Sequence, residues 1–204
     1  MTLAEEIDEL DRRFNELAGK SPKTKAEMQE KEMVRRAFEL AIRRQEKTLM
    51  DELAGVGINA EVWDLVNTSS SYPEAIPILI SHLGRSYHDA IREGIVRSLA
   101  VKEAKGLANK AIIAEYHKVP KEDHIFRWAF GNTMRVIVTN DDLDDLIGIV
   151  LDETNGDSRN MFVRALAKIK SPKVREVLSQ LAKDKCRIVA DEAKRALKRK
   201  RPAN

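Results

Sequence analysis

The sequence is poor in the residues that staple, bend or catalyse. A single cysteine, Cys186, leaves no internal disulfide to form, which fits a reducing, cytoplasmic setting. Aromatic residues are only 5%, so the core has to be built from Leu, Ile, Val and Ala. Six prolines and nine glycines are too few for an all-β chain with its many turns. No apolar run approaches the roughly 20 residues that span a bilayer, which leaves no expected contact with a membrane. The acidic start "MTLAEEIDEL" has no continuous apolar segment and does not read as a signal peptide. No glycine-rich phosphate loop and no His-Glu-x-x-His pattern is present.

What is present suits a soluble helical protein. Across 204 residues, 43% hydrophobic and 34% charged content allows a sizeable core in one or two domains and excludes a disordered tail. The net charge of +3 is unevenly placed. The stretch "KRALKRKR" (194–201) holds six basic residues and no acid, and the rest of the chain has 30 basic against 33 acidic residues. Such a tail can bind nucleic acid or an acidic partner. The plainer reading is a solvated last helical turn, where cations meet the negative end of the helix dipole.

Along the chain, Leu3, Ile7, Leu10, Phe14 and Leu17 are spaced 4-3-4-3, a seam on one helix face that Gly19 ends. Ser21 and Pro22 then suit the cap and first position of a longer helix over residues 23 to 53, with Met33, Val34, Ala37, Phe38, Ala41 and Ile42 in one stripe. Residues 1–54 therefore read as a helical hairpin that either covers the end of the neighbouring helices or dimerises through the seam. After Gly55 and Gly57, Asn59 is placed to cap a short helix containing Val62, Trp63, Leu65 and Val66. In "YPEAIPILISHL" (72–83), Pro77 is tolerable if the helix starts near Glu74.

From there the pattern repeats. "REGIVRSL" ends at Leu99, "IFRWAFGNT" at Thr133, "SRNMFVRAL" at Leu166 and "ADEAKRAL" at Leu197, at steps of 34, 33 and 31 residues. Each comes after another apolar helix: "AIPILISHL", "LANKAIIAEY", "LDDLIGIVL" and "VREVLSQLA". Helix pairs at such a period cannot bury their apolar faces singly but can when stacked. With "DAIREGIVRSLA" (89–100) and "IVADEAKRAL" (188–197) carrying the match, residues 72 to 199 resemble the HEAT-repeat family; "IFRWAFGNT" departs from its pattern most. The resemblance implies an all-α fold, a right-handed α-solenoid of helix pairs over residues 55–199, preceded by the hairpin and ending in the basic segment 200–204. It implies a scaffold that binds a protein, or less often nucleic acid, and no catalytic residues and no cofactor.

Chemistry-bearing residues read blandly. His82, His88, His117 and His124 lack metal-ligand spacing, although His117 and His124 flank a loop holding Asp123. "NDDLDD" (140–145) reads as a helix start capped by Asn140 or Asp141 rather than a cation site. "DETNGD" (152–157) lacks the acid spacing of a calcium loop and reads as a turn, with Asp157 or Ser158 capping the next helix. Cys186 precedes Arg187, which favours a thiolate, but no histidine base is near in sequence. Trp63 and Trp128 suit inter-helix packing, with base stacking as the functional alternative.

Two functions fit these features: a non-enzymatic scaffold for a protein partner (adaptor, inhibitor or immunity-type), or a nucleic-acid-associated protein like the DNA-glycosylase branch of helical repeats. The near-neutral body disfavours the second. In three repeats an arginine stands two residues before the terminal leucine: Arg97, Arg164 and Arg195, with Gly131 there in the other repeat. At 100° per residue these point away from the buried stripe and form an interrupted row for an acidic partner. Arg92 and Arg159 lie at the other flank and suit bracing between repeats. The plainer alternative is that all five are solvated or locally paired.

Overall fold

The structure, a computed structural model, describes residues 1–199; the segment 200–204 and the last two cations of the basic stretch lie outside the described residues. Among the described residues the chain is all-α, with eleven α-helices and no strand. No helix among them is long and apolar enough to cross a membrane.

Helix α1 (Leu3–Gly19) starts at a capping box, in which Thr2 Oγ1 accepts the Glu5 N–H (3.2 Å) and the Glu5 carboxylate accepts the Thr2 N–H (2.7 Å). Helix α2 (Lys25–Gly55) starts the same way at Thr24 and Glu27, not at Ser21 and Pro22. Satisfying two orphan amides at once outweighs one proline-compatible turn, and Pro22 sits in the connection. Arg13 pairs with Glu30 and Arg44 with Glu6, so the two helices run antiparallel. Ile7, Leu17 and Ala41 are buried between them. The seam is thus used within the hairpin. The second half of α2 joins the main core, with Leu49 and Leu53 buried in it and Ile42 packed against it.

Helix α3 (Val62–Asn67) is capped from outside its own sequence. The buried Glu46 of α2 accepts the Val62 N–H at 2.6 Å, and Asp64 accepts the Glu61 N–H at 3.0 Å, so Asn59 is not the cap. Four pairs come next: α4 (Ala75–His82) with α5 (Asp89–Ser98), α6 (Asn109–Tyr116) with α7 (His124–Ile137), α8 (Leu143–Leu151) with α9 (Arg159–Leu166), and α10 (Pro172–Leu181) with α11 (Arg187–Arg199). Glu74 is the cap position of α4, so Pro77 falls in its first turn, where the missing N–H breaks no helical bond.

Each first helix packs on its own second helix, and the second helices pack on one another in the order α3, α5, α7, α9, α11. One apolar core runs from Leu49 to Ala196. Each aliphatic side chain fully buried in it contributes about 1.5–3 kcal/mol.

Two guanidinium groups lie inside this packing. Arg127 and Arg159 are 1% and 2% exposed. Arg127 donates to the Val119 carbonyl (2.8 Å) and the Asn155 side chain (2.6 Å) and sits 4.1 Å from the Tyr116 ring centroid. Arg159 donates to the Val150 and Gly156 carbonyls and pairs with Asp184 ahead of α11. Arg92 pairs with Asp89 and stacks over Phe126 of the next pair, at 4.9 Å. Arg92 and Arg159 thus bridge successive pairs. The burial of Arg159 excludes the solvated reading for it.

Candidate functional site: a basic cleft on the second-helix face

The arginine row is not interrupted. Helix α7 continues past Thr133 to Ile137, so its terminal aliphatic residue is Ile137, and the residue two before it is Arg135. Arg97, Arg135, Arg164 and Arg195 then precede Leu99, Ile137, Leu166 and Leu197 by the same interval. The first three of those aliphatic residues are fully buried, and an offset of about 200° turns each arginine to the open side of its helix. Gly131 does not belong to the row. It is buried where α7 crosses α9, and a Cβ there would stand 2.6 Å from Met161 Cβ. It permits the close helix approach.

The row divides electrostatically. Arg97 is three-quarters buried and paired with Glu93 one turn away (2.6 Å), so its charge is answered locally. Arg164 and Arg195 converge from neighbouring helices on Glu192, which is 5% exposed, at 3.0 and 3.5 Å. Arg135 has no hydrogen-bond or ion-pair partner for its side chain among the described residues. The Nε atoms of Arg135 and Arg164 are buried with no acceptor. Lys168 leans over the same place, its Nζ donating to the Arg135 carbonyl at 2.6 Å. Its pKa is held below the ordinary lysine value, first by partial burial and then by the like charges of Arg135 and Lys105.

Together Arg135, Arg164, Lys168, Glu192, Arg195 and Arg199 line a cleft of about 340 Å³. Five cations face one carboxylate there. Of the residues expected from sequence, Arg164 and Arg195 are brought together; Arg97 does not line the cleft. Arg135, Lys168 and Glu192 were not foreseen. The Arg135 position was detectable, since "RVI" (135–137) repeats the spacing of "RSL" and "RAL".

Above this basic end, the open side of α7 carries Ile125 and Trp128, which are 74% and 39% exposed. Trp128 is part-exposed on that side, because Phe126, Ala129 and Phe130 occupy the buried side. Trp63 is part-exposed and packs across α3 and α5, its Nε1 donating to the Ala90 carbonyl at 3.0 Å.

The remaining candidates serve the fold. His82 is buried between Tyr87 (2.6 Å) and Glu52 (3.0 Å), and His88 accepts the Ala90 N–H at the start of α5. His124 stands 3.4 Å from Asp157. No group of three or more His, Cys, Asp or Glu could hold a metal ion among the described residues. In "NDDLDD" the cap is Thr139 with Asp142, not Asn140 or Asp141: the buried Asp142 accepts the Thr139 N–H at 2.7 Å and is also bonded by Asn109. In "DETNGD" Ser158 holds the N-cap position of α9, as expected, but its side chain makes no capping bond. Ser158 instead donates to the Asn155 carbonyl (2.8 Å), and Asn155 turns inward to meet Arg127. Searches against protein-family models, curated proteins and solved structures find no match to this chain.

Proposed function

We propose that the protein is a non-enzymatic scaffold: a right-handed α-solenoid of HEAT-like pairs, covered at one end by the hairpin, that binds an acidic protein partner on its second-helix face. It would act as an adaptor, inhibitor or immunity-type protein. The observation that supports this most is Arg135, a cation with no counter-charge among the described residues, beside Arg164, Lys168 and Arg195. Clustered like charges weaken the folded state, and an acidic ligand relieves them while gaining orientation and association rate. Trp128 and Ile125 extend the same face with apolar area, and Trp and Arg are the residue types that dominate interface energetics.

The exposed Trp128 beside cations also favours a second reading, association with nucleic acid. Glu93 and Asp191 count against it, because a polyanion laid along the face would meet carboxylates one turn from Arg97 and Arg195. The test compares proteins captured from native lysate by the wild type and by the Arg135→Ala, Arg164→Ala double variant, with the fold checked by circular dichroism. A partner lost on substitution, with an affinity drop of about 2 kcal/mol or more when re-measured with purified protein, is the expected result. Capture and affinity unchanged by substitution would sink this reading; capture of nucleic acid alone would favour the second.

A further inference from the structure

We infer that the cleft between α7, α9 and α11 is a phosphate-monoester site, which receives a phosphorylated side chain of the protein partner. This rests on the partner-binding reading and adds the chemistry the partner must carry.

Charge is the first argument. Among the described residues, Arg135, Arg164, Lys168, Arg195 and Arg199 line the cleft with a single carboxylate, Glu192. A single Asp or Glu from a partner would leave most of that excess in place. A phosphomonoester brings a charge of about −1.5 to −2 and three strong acceptor oxygens in one compact group.

Donor geometry is the second. Glu192 engages a terminal nitrogen on each of Arg164 and Arg195, which leaves other guanidinium donors unused. The Nε–H groups of Arg135 and Arg164 are buried without an acceptor. Buried donors are almost always satisfied in folded proteins, and Arg135 and Arg164, which both line the cleft, each carry one that is not. The donors come from three neighbouring helices that share one cleft. Guanidinium forks match phosphate oxygens in pairs. Lys168 adds a point charge at the rim, its Nζ donating to the Arg135 carbonyl at 2.6 Å.

Size is the third. A cavity of about 340 Å³ admits a phosphoryl group with its linking side chain. A nucleic-acid strand entering it would have to continue across the face, past Glu93 and Asp191. A peptide need only insert one side chain. Trp128 lies two turns from Arg135 on α7, roughly 10 Å away along the helix, where the peptide's flanking residues would pack.

The experiment is heteronuclear NMR of the arginine Nε–H groups in the full chain, titrated at physiological ionic strength with N-acetyl-phosphoserine amide, N-acetyl-aspartate amide or a short single-stranded oligonucleotide. Expected are saturable shifts of the Arg135 and Arg164 Nε–H signals with the phosphoserine probe, and at least about tenfold weaker binding of the aspartate probe. Lys168→Met and Arg135→Met should each weaken the phosphoserine probe by about tenfold, and Arg97→Met should leave it unchanged. Lys168 is on the exposed rim, so its variant keeps the test open if Arg135→Met fails to fold. No saturable shift, equal binding of the aspartate probe, or tighter cleft-dependent binding of the oligonucleotide would each overturn the inference. If the phosphoserine probe fails while captured partner still depends on Arg135 and Arg164, the scaffold reading stands and only the phosphate inference falls.

Discussion

Arg159 and Asp184 are joined by two parallel hydrogen bonds, Nη1 to Oδ2 at 2.8 Å and Nη2 to Oδ1 at 3.0 Å, and both side chains are almost wholly buried. The pair ties the start of α9 to the loop before α11, so it holds the last two helix pairs in register. Removing one partner strands the other charge away from water, at a cost of about 3–5 kcal/mol. Arg159→Met should therefore lower the melting temperature by about 10 °C, and Arg159→Lys should not rescue it, because an ammonium cannot make the paired contact. The loss should depend on pH. Burial pushes the Asp184 carboxyl up, but the Arg159 contacts and the Cys186 N–H outweigh it and hold the pKa below the ordinary value. Its stabilisation is complete above the unfolded pKa and disappears as pH falls through the lower folded one. Melting curves of the two proteins should converge in acid; a constant gap down to strongly acidic pH would show that Asp184 is not the partner that matters.

Glu46 carries the opposite sign. Burial raises its pKa, the Val62 N–H draws it down, and the charges of Glu61 and Asp64 push it up again, for a net rise. A carboxyl with a raised folded pKa stabilises below its unfolded pKa, and that contribution is lost as pH rises through the folded one. Toward neutral pH the negative charge of Glu46 is thus a burden carried in exchange for capping α3. Glu46→Gln keeps an acceptor for Val62 and discards the charge. It should raise the melting temperature near pH 7 and give no gain below about pH 4. A lower melting temperature for the variant at neutral pH would mean that the charged cap outweighs its own desolvation.

The hairpin and the helix pairs should open separately. Ile7 is 1% exposed in the hairpin's own small core, whereas Leu53, fully buried, belongs to the main core. Leu53→Ala should cost about 2–5 kcal/mol and loosen α3 and α4. Ile7→Ala should raise amide hydrogen exchange over α1 and the first half of α2 alone. Faster exchange spreading through α5 to α11 in the Ile7 variant would instead make the chain one cooperative unit.

How much of this was legible depended on whether the signal was local. The eleven helices announce themselves through apolar spacing and Gly or Pro breaks, and Arg164 and Arg195 were visible as a recurring Arg-x-Leu. Arg135 was missed because Gly131 and Thr133 weaken the local helix signal, so the helix was ended one turn early. The caps from Glu46 and Asp142 could not be read. One lies 16 residues from the amide it satisfies, and the other was one of four similar acids. The depth of the buried arginines was hidden for a related reason. Arg159 stands at the flank where bracing is expected and Arg127 looks like a surface charge, but only folding brings the carbonyls of Val119, Val150 and Gly156 within reach. That Glu192 stands between Arg164 and Arg195 depends on the rotation of α11 against α9, which no single-helix pattern specifies.

Glu192 gives the sharpest separation of stability from binding. It is the one carboxylate lining the cleft among the described residues, buried, and engaged by both Arg164 and Arg195. In the unliganded protein it is the internal substitute for a missing anion. Glu192→Gln keeps the shape and one acceptor oxygen but leaves the two guanidinium groups less well answered. Losing a charged hydrogen-bond partner costs about 1.5–3 kcal/mol, so the variant should melt several degrees lower. The same change raises the net positive charge of the cleft by one unit and frees the arginine donors. An anionic ligand should then bind more tightly, by about tenfold if the removed repulsion is worth about 1.4 kcal/mol. Stability and affinity should move in opposite directions, which loss of fold alone cannot produce. The measurement is a melting curve with and without N-acetyl-phosphoserine amide for both proteins: the ligand-induced rise should be larger in the variant. An equal or smaller rise would show that Glu192 does not compete for the place the ligand takes.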